Sequence, residues 1–140
     1  MTIIKTQVTH LSRLTPEKMY HAWTTPASIQ QWFSPDDTFI KCENNLTLNG
    51  YFIFTINRNG QEIQHLGHYT ALQEPHLIKF TWAVVDDLPA SSLVTITIQA
   101  TENGSKTTLT HQIDAAWESF IPNIQNSWKK MFSGIEQITL

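Results

Sequence analysis

Six histidines, one cysteine and the adjacent carboxylates Asp86-Asp87 are the residues of this 140-residue chain best suited to binding metal or moving protons. Their spacing argues against most of that chemistry. His65-x-x-His68 lies in a run that alternates like a strand, where positions three apart point to opposite faces. The two imidazoles therefore cannot chelate one ion without a bulge. His10 and His111 could meet on neighbouring strands, but neither has a carboxylate or cysteine at ligand spacing, and both read as core-edge or solvent histidines. Asp86-Asp87, beside Leu88-Pro89-Ala90, reads as a solvated turn. Cys42, in a strand-like run, reads as a small structural residue. The sequence contains no glycine-rich phosphate loop, nucleophile elbow or Cys-x-x-Cys pair. No catalytic residue, metal or cofactor is expected.

A different kind of chemistry is carried by large aromatics with polar tips. Strand parity places Phe52, Phe54 and Ile56 on one face, Gly67 and Tyr69 on one face, and Ile78, Phe80 and Trp82 on one face. The same rule groups Val94, Ile96 and Ile98, and then Leu109, His111 and Ile113. If these faces point inward they meet Ile124, Trp128 and Met131 of a C-terminal helix. The ordinary outcome of such a pattern is a filled core. Gly67, however, leaves room inside a strand, and Tyr69, Trp82, His111 and Trp128 carry polar atoms that need partners when buried. A few polar tips in an apolar lining describe a small-molecule site. Its expected lining is Phe33, Phe52, Phe54, Gly67, Tyr69, Phe80, Trp82, Ile96, Leu109, His111, Ile124, Trp128 and Met131.

The elements that must position these residues follow from local signals. Ile3 to Leu14 alternates, with Ile4, Val8 and either Leu11 or Leu14 inward, as a strand that has room for a bulge. Thr15-Pro16 supplies an N-cap and a proline at the first helical position, predicting a helix over residues 16–24. Thr25-Pro26 opens a second short helix through Ile29 and Trp32, stopped by Ser34-Pro35. Tyr20, Trp23 and Trp32 on these two helices are expected to plug one end of the sheet, with Phe33 at a pocket mouth. Six β-rich runs follow: "TFIKCE", "YFIFTINR", "EIQHLGHYTALQ", "LIKFTWAVV", "SLVTITIQAT" and "KTTLTHQI". Short turns such as Asn59-Gly60 and Asn103-Gly104 join them, predicting an antiparallel meander. Trp117, Ile121, Ile124, Trp128, Met131, Ile135 and Ile138 then form a stripe at spacings of three and four on a helix of about five turns, its regular part starting near Pro122. A seven-stranded sheet must cover its apolar face, and only this last helix is long enough.

Composition narrows the partners. Nine basic residues against twelve acidic ones, a net charge of −3 and scattered lysines leave no footprint for nucleic acid or an anionic membrane. One cysteine cannot form an internal disulfide, and no 18-residue apolar run or signal-type apolar stretch occurs. A cytoplasmic protein without a membrane span is expected. Five tryptophans and seven phenylalanines mean that aromatics dominate any core.

The stretch "TPEKMYHAWTTPASIQQWF", Thr15 to Phe33, resembles the N-terminal signature of the START-like (SRPBCC) superfamily. Specifically, it is similar to the family named after the activator of the heat-shock protein 90 ATPase. Thr15-Pro16, Tyr20 with Ala22-Trp23, Thr25-Pro26 and Trp32-Phe33 carry the likeness. Gly50, Gly67 to Leu72, Phe80-Thr81-Trp82, Val94 to Ile98, Thr108 to His111 and Ser127-Trp128 continue it in order along nearly the whole chain. The chain departs at Asn49, where many members have a second glycine, at Ala71 in place of a glutamate, and at Glu74-Pro75-His76-Leu77 in place of a proline-proline-x-arginine link. Polar chemistry attached to that glutamate and arginine cannot be carried over.

The resemblance implies an α+β helix-grip fold like that of birch-pollen allergens. In it, a curved seven-stranded antiparallel sheet wraps a long C-terminal helix, with two short helices after the first strand. One domain, residues 1–140, is expected. The leading functional expectation is non-enzymatic binding of a small apolar or aromatic ligand, lipid included, between sheet and last helix, by a monomer or weak homodimer. The family name implies an alternative, a chaperone-associated module that stimulates an ATPase in a stress response. That activator carries a further N-terminal domain which these residues do not include. Cyclases and hydrolases on related folds supply a third alternative, for which His111 with Tyr69 is the one acid/base pair the sequence offers.

Overall fold

The computed structural model describes residues 2–88 and 90–138. The chain opens with β1 (Ile3–Ser12), α1 (Pro16–Thr24) and α2 (Pro26–Trp32). It continues through β2 (Thr38–Asn44), β3 (Tyr51–Arg58), β4 (Gln61–Gln73), β5 (Leu77–Val84), β6 (Ser92–Thr101) and β7 (Gly104–Asp114), and ends in α3 (Ile121–Ile135). The strands form one antiparallel sheet in the order β1-β7-β6-β5-β4-β3-β2. β2 to β7 are thus a meander, and β1 closes onto β7 rather than onto its sequence neighbour. The β1–β7 register runs unbroken from Ile3 opposite Asp114 to Ser12 opposite Ser105, so β1 has no bulge. The register shifts lie instead between Phe39 and Lys41 in β2 and between Tyr69 and Ala71 in β4.

The helix starts work as their caps dictate. The Thr15 hydroxyl accepts from the Lys18 amide at 3.3 Å and Pro16 occupies the first turn, where its missing N–H costs nothing. Thr25 both ends α1, its amide donating to His21, and begins α2. The two short helices are therefore joined without a loop. At the C-terminal end a 3-10 helix over Ala115–Phe120 precedes α3, the Asp114 side chain accepting from the Ala116 amide, and Pro122 falls in the first turn of the regular helix.

Burial follows the strand parity closely. Phe52, Phe54, Ile56, Tyr69, Ile78, Phe80, Val94, Ile96, Ile98, Leu109 and His111 all face α1, α2 and α3. Of the two alternatives offered by the first strand, Leu14, just beyond β1, packs against the core, whereas Leu11 is 72% exposed because it lies three residues from Val8 and so on the opposite face. The α3 stripe needs a correction. Trp128, Met131, Phe132 and Ile135 are its buried residues, while Trp117 lies on the preceding turn and is exposed. Phe132, one turn after Trp128, widens the apolar face beyond the single stripe read from spacing.

Candidate functional site

Aromatic rings from every layer converge between α3 and the inner face of β3, β4 and β5. They surround a gap of about 20 Å³, walled by Trp23, Trp32, Phe33, Phe52, Phe54, Tyr69, Ile78, Phe80, Trp82 and Trp128. Such a space holds about one water, whereas sites for small molecules run to about 300–1,000 Å³. The interior is therefore closed in this state, with the rings filling most of it. Phe52 and Trp82 stack at 5.9 Å and 27°, and His65 stacks on Trp82 at 5.2 Å and 28°. Trp23 lies against Trp32 at 4.6 Å, and Trp82 reaches Trp128 at 5.6 Å.

Seven of the residues expected from sequence line this gap: Phe33, Phe52, Phe54, Tyr69, Phe80, Trp82 and Trp128. Ile96 and Leu109 are fully buried in the core away from it. Gly67 leaves no open room. A Cβ there would run into the Thr81 carbonyl and the Phe52 ring, so glycine serves a close approach of β4 to β5 and to Phe52. His111 stands behind Trp128, Ile124 is half-buried at the edge of the core, and Met131 faces an outer cleft. Phe33 is 3% exposed and is a wall rather than an open mouth. Trp23, Trp32 and Ile78 are additional walls. The sequence carried their signal: Ile78 shares the face of Phe80 and Trp82, and both tryptophans sit on the buried sides of the capped helices.

The polar tips divide into two groups. Trp128 Nε1 donates to His111 Nδ1 at 3.1 Å, His111 Nε2 lies 2.7 Å from Ser92 Oγ, and that hydroxyl donates to the Trp82 carbonyl at 2.9 Å. An indole can only donate, so His111 Nδ1 must be the acceptor and Nε2 must carry the proton. Burial holds the imidazole neutral, with its pKa lowered to about 4. Tyr69 donates its hydroxyl to Asn44 at 2.5 Å, and burial pushes its pKa well up; Trp32 Nε1 donates to the Ala22 carbonyl at 2.8 Å. Two further buried ring nitrogens have no protein partner: Trp23 Nε1, on a wall of the gap, and His65 Nδ1, on a ring that stacks on Trp82; the hydroxyls of Thr70, Ser105 and Thr107 are likewise unpartnered elsewhere. Each costs on the order of 1–3 kcal/mol in that state. His65 is held down to about 4, first by burial and then by the charge of Arg58, with the Phe54 backbone and Asp37 opposing.

Tyr69 and His111 do not form an acid/base pair. They lie on one row, Tyr69 opposite Phe80, Phe80 opposite Val94 and Val94 opposite His111. Three strand spacings, about 14 Å, separate them. His10 does not meet His111 either. It stacks on Phe132 at 4.8 Å and pairs with Glu136 at 2.8 Å, a carboxylate 126 residues away that local spacing could not reveal. His65 faces inward while His68 packs beside Tyr51 and Thr81. Among the described residues, no three His, Cys, Asp or Glu side chains converge to hold a metal. Burial and Glu43 raise the Cys42 thiol to about 11, leaving little thiolate at neutral pH. Asp86-Asp87 lie in a turn, Val85–Asp87; Pro89 is outside the described residues.

Outside the gap lies a polar cleft of about 400 Å³, bounded by residues 34–37, Arg58, Asn59, Ser127, Lys130 and Met131. Phe33 and Trp128, both gap walls, immediately adjoin it in sequence. Asp37 receives Arg58 through Nε, 3.2 Å from both carboxylate oxygens, and through Nη2 at 2.9 Å, and it accepts from Ser34 at 2.8 Å. The Arg58 hydrogen bonds hold its pKa below the usual carboxylate range. Lys130 of α3 reaches Asp36 at 3.0 Å, so this segment ties α3 to β3 across the outside of the gap.

A model of the family described as "Activator of Hsp90 ATPase homolog 1-like protein" matches residues 13–139. The chain belongs to that family. Among solved structures, the AHSA1 protein from Silicibacter pomeroyi superposes with a TM-score of 0.81 at 18% identity over 95% of each chain. A Rhodobacter sphaeroides protein gives 0.85 at 15% identity, covering 94% of this chain and 89% of its own. A Chromobacterium violaceum protein gives 0.78 at 21%, covering 96% and 98%. Likeness at these identities concerns architecture, and the family's helix-grip fold is the one seen here. No curated protein sequence matches the chain. Among the described residues no helix is long and apolar enough to cross a membrane. Family membership also gives Asn49 a physical role. It holds φ +64, the left-handed conformation that glycine adopts freely, while its amide donates to the Tyr69 carbonyl at 2.8 Å.

Proposed function

We propose that this protein is a non-enzymatic binder of a small apolar or aromatic molecule, held between the sheet and α3 by widening the aromatic gap. The supporting observation is the gap's wall. Rings from α1, α2, three strands and α3 meet there and leave a gap of about 20 Å³, which a ligand must widen. A ligand enters by displacing Phe33 outward with residues 34–37, which are tied by the Asp36–Lys130 and Asp37–Arg58 pairs, the Ser34–Asp37 hydrogen bond and one turn. The exposed Asp36–Lys130 pair contributes about 0–1 kcal/mol, and the less exposed Asp37–Arg58 pair is the main tie to release. Tyr69, His111 and Trp128 keep their protein partners and brace the wall.

Thermal unfolding of the intact chain with flat aromatics and fatty acids tests the reading. A midpoint that rises with ligand concentration supports it, since a ligand that binds only the folded state stabilises by mass action. An unchanged midpoint with every compound rejects it. Trp117 and Phe120 favour the second reading, a chaperone-associated interaction module. They pair at 5.3 Å and are 38% and 47% exposed on the turn leading into α3. ATPase stimulation by the wild type, lost in a Trp117→Ala, Phe120→Ala double variant, would select that reading instead.

A further inference from the structure

Three indoles reach the gap from three helices, and they differ in one respect. Trp32 spends its N–H on the Ala22 carbonyl and Trp128 on His111. Trp23 is only 6% exposed, lines the gap, and its Nε1 has no hydrogen-bond partner. Its ring neighbours are Trp32, Trp128 and Phe132, which present carbon faces. The Tyr69 hydroxyl donates to Asn44 and makes no bond to Trp23 Nε1. Phe52, Trp82 and His65 stack on one another at 27° and 28° between successive rings, and Phe52 and Trp82 of this stack line the gap with Trp23. An aromatic lining around a lone buried donor fits an aromatic ring better than a flexible acyl chain, because ring pairs gain from offset-stacked and edge-to-face contact beyond the area they bury.

We infer that the ligand is a planar aromatic molecule with a hydrogen-bond acceptor on its edge, which takes the N–H of Trp23. This rests on the reading of the gap as a ligand site. The acceptor supplies what the fold leaves out, and selection against acceptor-free rings of the same shape follows, because they leave the donor buried and unpaired.

The experiment compares naphthalene with quinoline and isoquinoline, which match it in shape and add one acceptor nitrogen at two different positions. Dissociation constants come from ligand-observed NMR at pH 7.5 on the wild type and on Trp23→Phe, which keeps an aromatic ring but removes the donor. The expected result is that at least one azaarene binds about tenfold more tightly than naphthalene, a net value typical of one hydrogen bond in a dry site. That preference, read as the ratio of azaarene to naphthalene affinity within each protein, should disappear in Trp23→Phe. Equal binding of all three compounds to the wild type, or a preference that survives in Trp23→Phe, overturns the inference and leaves the ligand site standing. Absence of binding by all three also overturns the inference, and the thermal series with fatty acids then decides the ligand site separately. The wild-type comparison stands alone if the variant fails to fold.

Discussion

His65 and His111 occupy inward positions on β4 and β7, and burial lowers both to about 4, yet their surroundings differ. His111 has a donor on one nitrogen and an acceptor on the other, and that pair of bonds sets its tautomer. His65 is wedged between Phe33 and Trp82, with Nδ1 unpartnered. On the His111 side, hydrogen bonds clamp Trp128 to β6 and β7. On the side of His65 and Trp23, stacking holds the rings while polar atoms go unanswered. Thr70, Ser105 and Thr107 also bury hydroxyls without a protein partner, so an unanswered polar atom alone does not mark the site; what sets Trp23 apart is that its free donor is on a ring that lines the gap.

The largest expected effect is acid destabilisation. Unfolded histidines take up protons near pH 6.5, while these two hold them off to about 4. Between those values the unfolded chain binds more protons, so stability is full above about 6.5 and falls as pH drops towards 4. Each imidazole contributes up to about 3 kcal/mol of that loss. Urea unfolding across pH 4–7 checks it, and His65→Phe should remove roughly half the slope attributable to the pair. Saturation with a ligand that engages His65 should change its share while leaving that of His111 intact.

Next in size is a pair of ring substitutions. Trp128→Phe shrinks a ring and also strands His111 Nδ1, for a cost of about 2–3 kcal/mol. Trp23→Phe shrinks a ring but removes an unpaired donor, and should cost about 1–2 kcal/mol less. Denaturant midpoints measured side by side decide this, and equal losses would erase the distinction between the two walls. The smallest effect is expected from Asp37→Asn, which weakens the Arg58 and Ser34 contacts. It should cost about 1 kcal/mol, yet speed ligand exchange in stopped-flow tryptophan fluorescence, because the displaced segment loses its main tie.

The sequence revealed the frame more fully than the site. Alternation in β3 to β7 put Phe52, Phe54, Phe80 and Trp82 on the correct face, and Thr15-Pro16 and Thr25-Pro26 marked both short helices. Period alone says which way a side chain points, not how far it is from its neighbours across the sheet. Tyr69 and His111 therefore looked like potential partners although three strand spacings separate them. Gly67 suggested open room because a missing side chain is visible in sequence, whereas the neighbouring strand and Phe52 that occupy the space are not. The His10–Glu136 pair depends on how the end of α3 crosses β1, which no local pattern encodes. Trp23 and Trp32 were placed on the right helices, but only the packing of α1 and α2 against α3 shows that they wall the gap.

The most direct test of the central claim is a crystal structure of the protein grown with saturating quinoline. The account predicts ligand density between Trp23 and the Phe52–Trp82 stack, with Phe33 and residues 34–37 moved outward and the Trp128–His111–Ser92 bonds unchanged. An unchanged gap of about 20 Å³, with no ligand between α3 and the sheet, would contradict it.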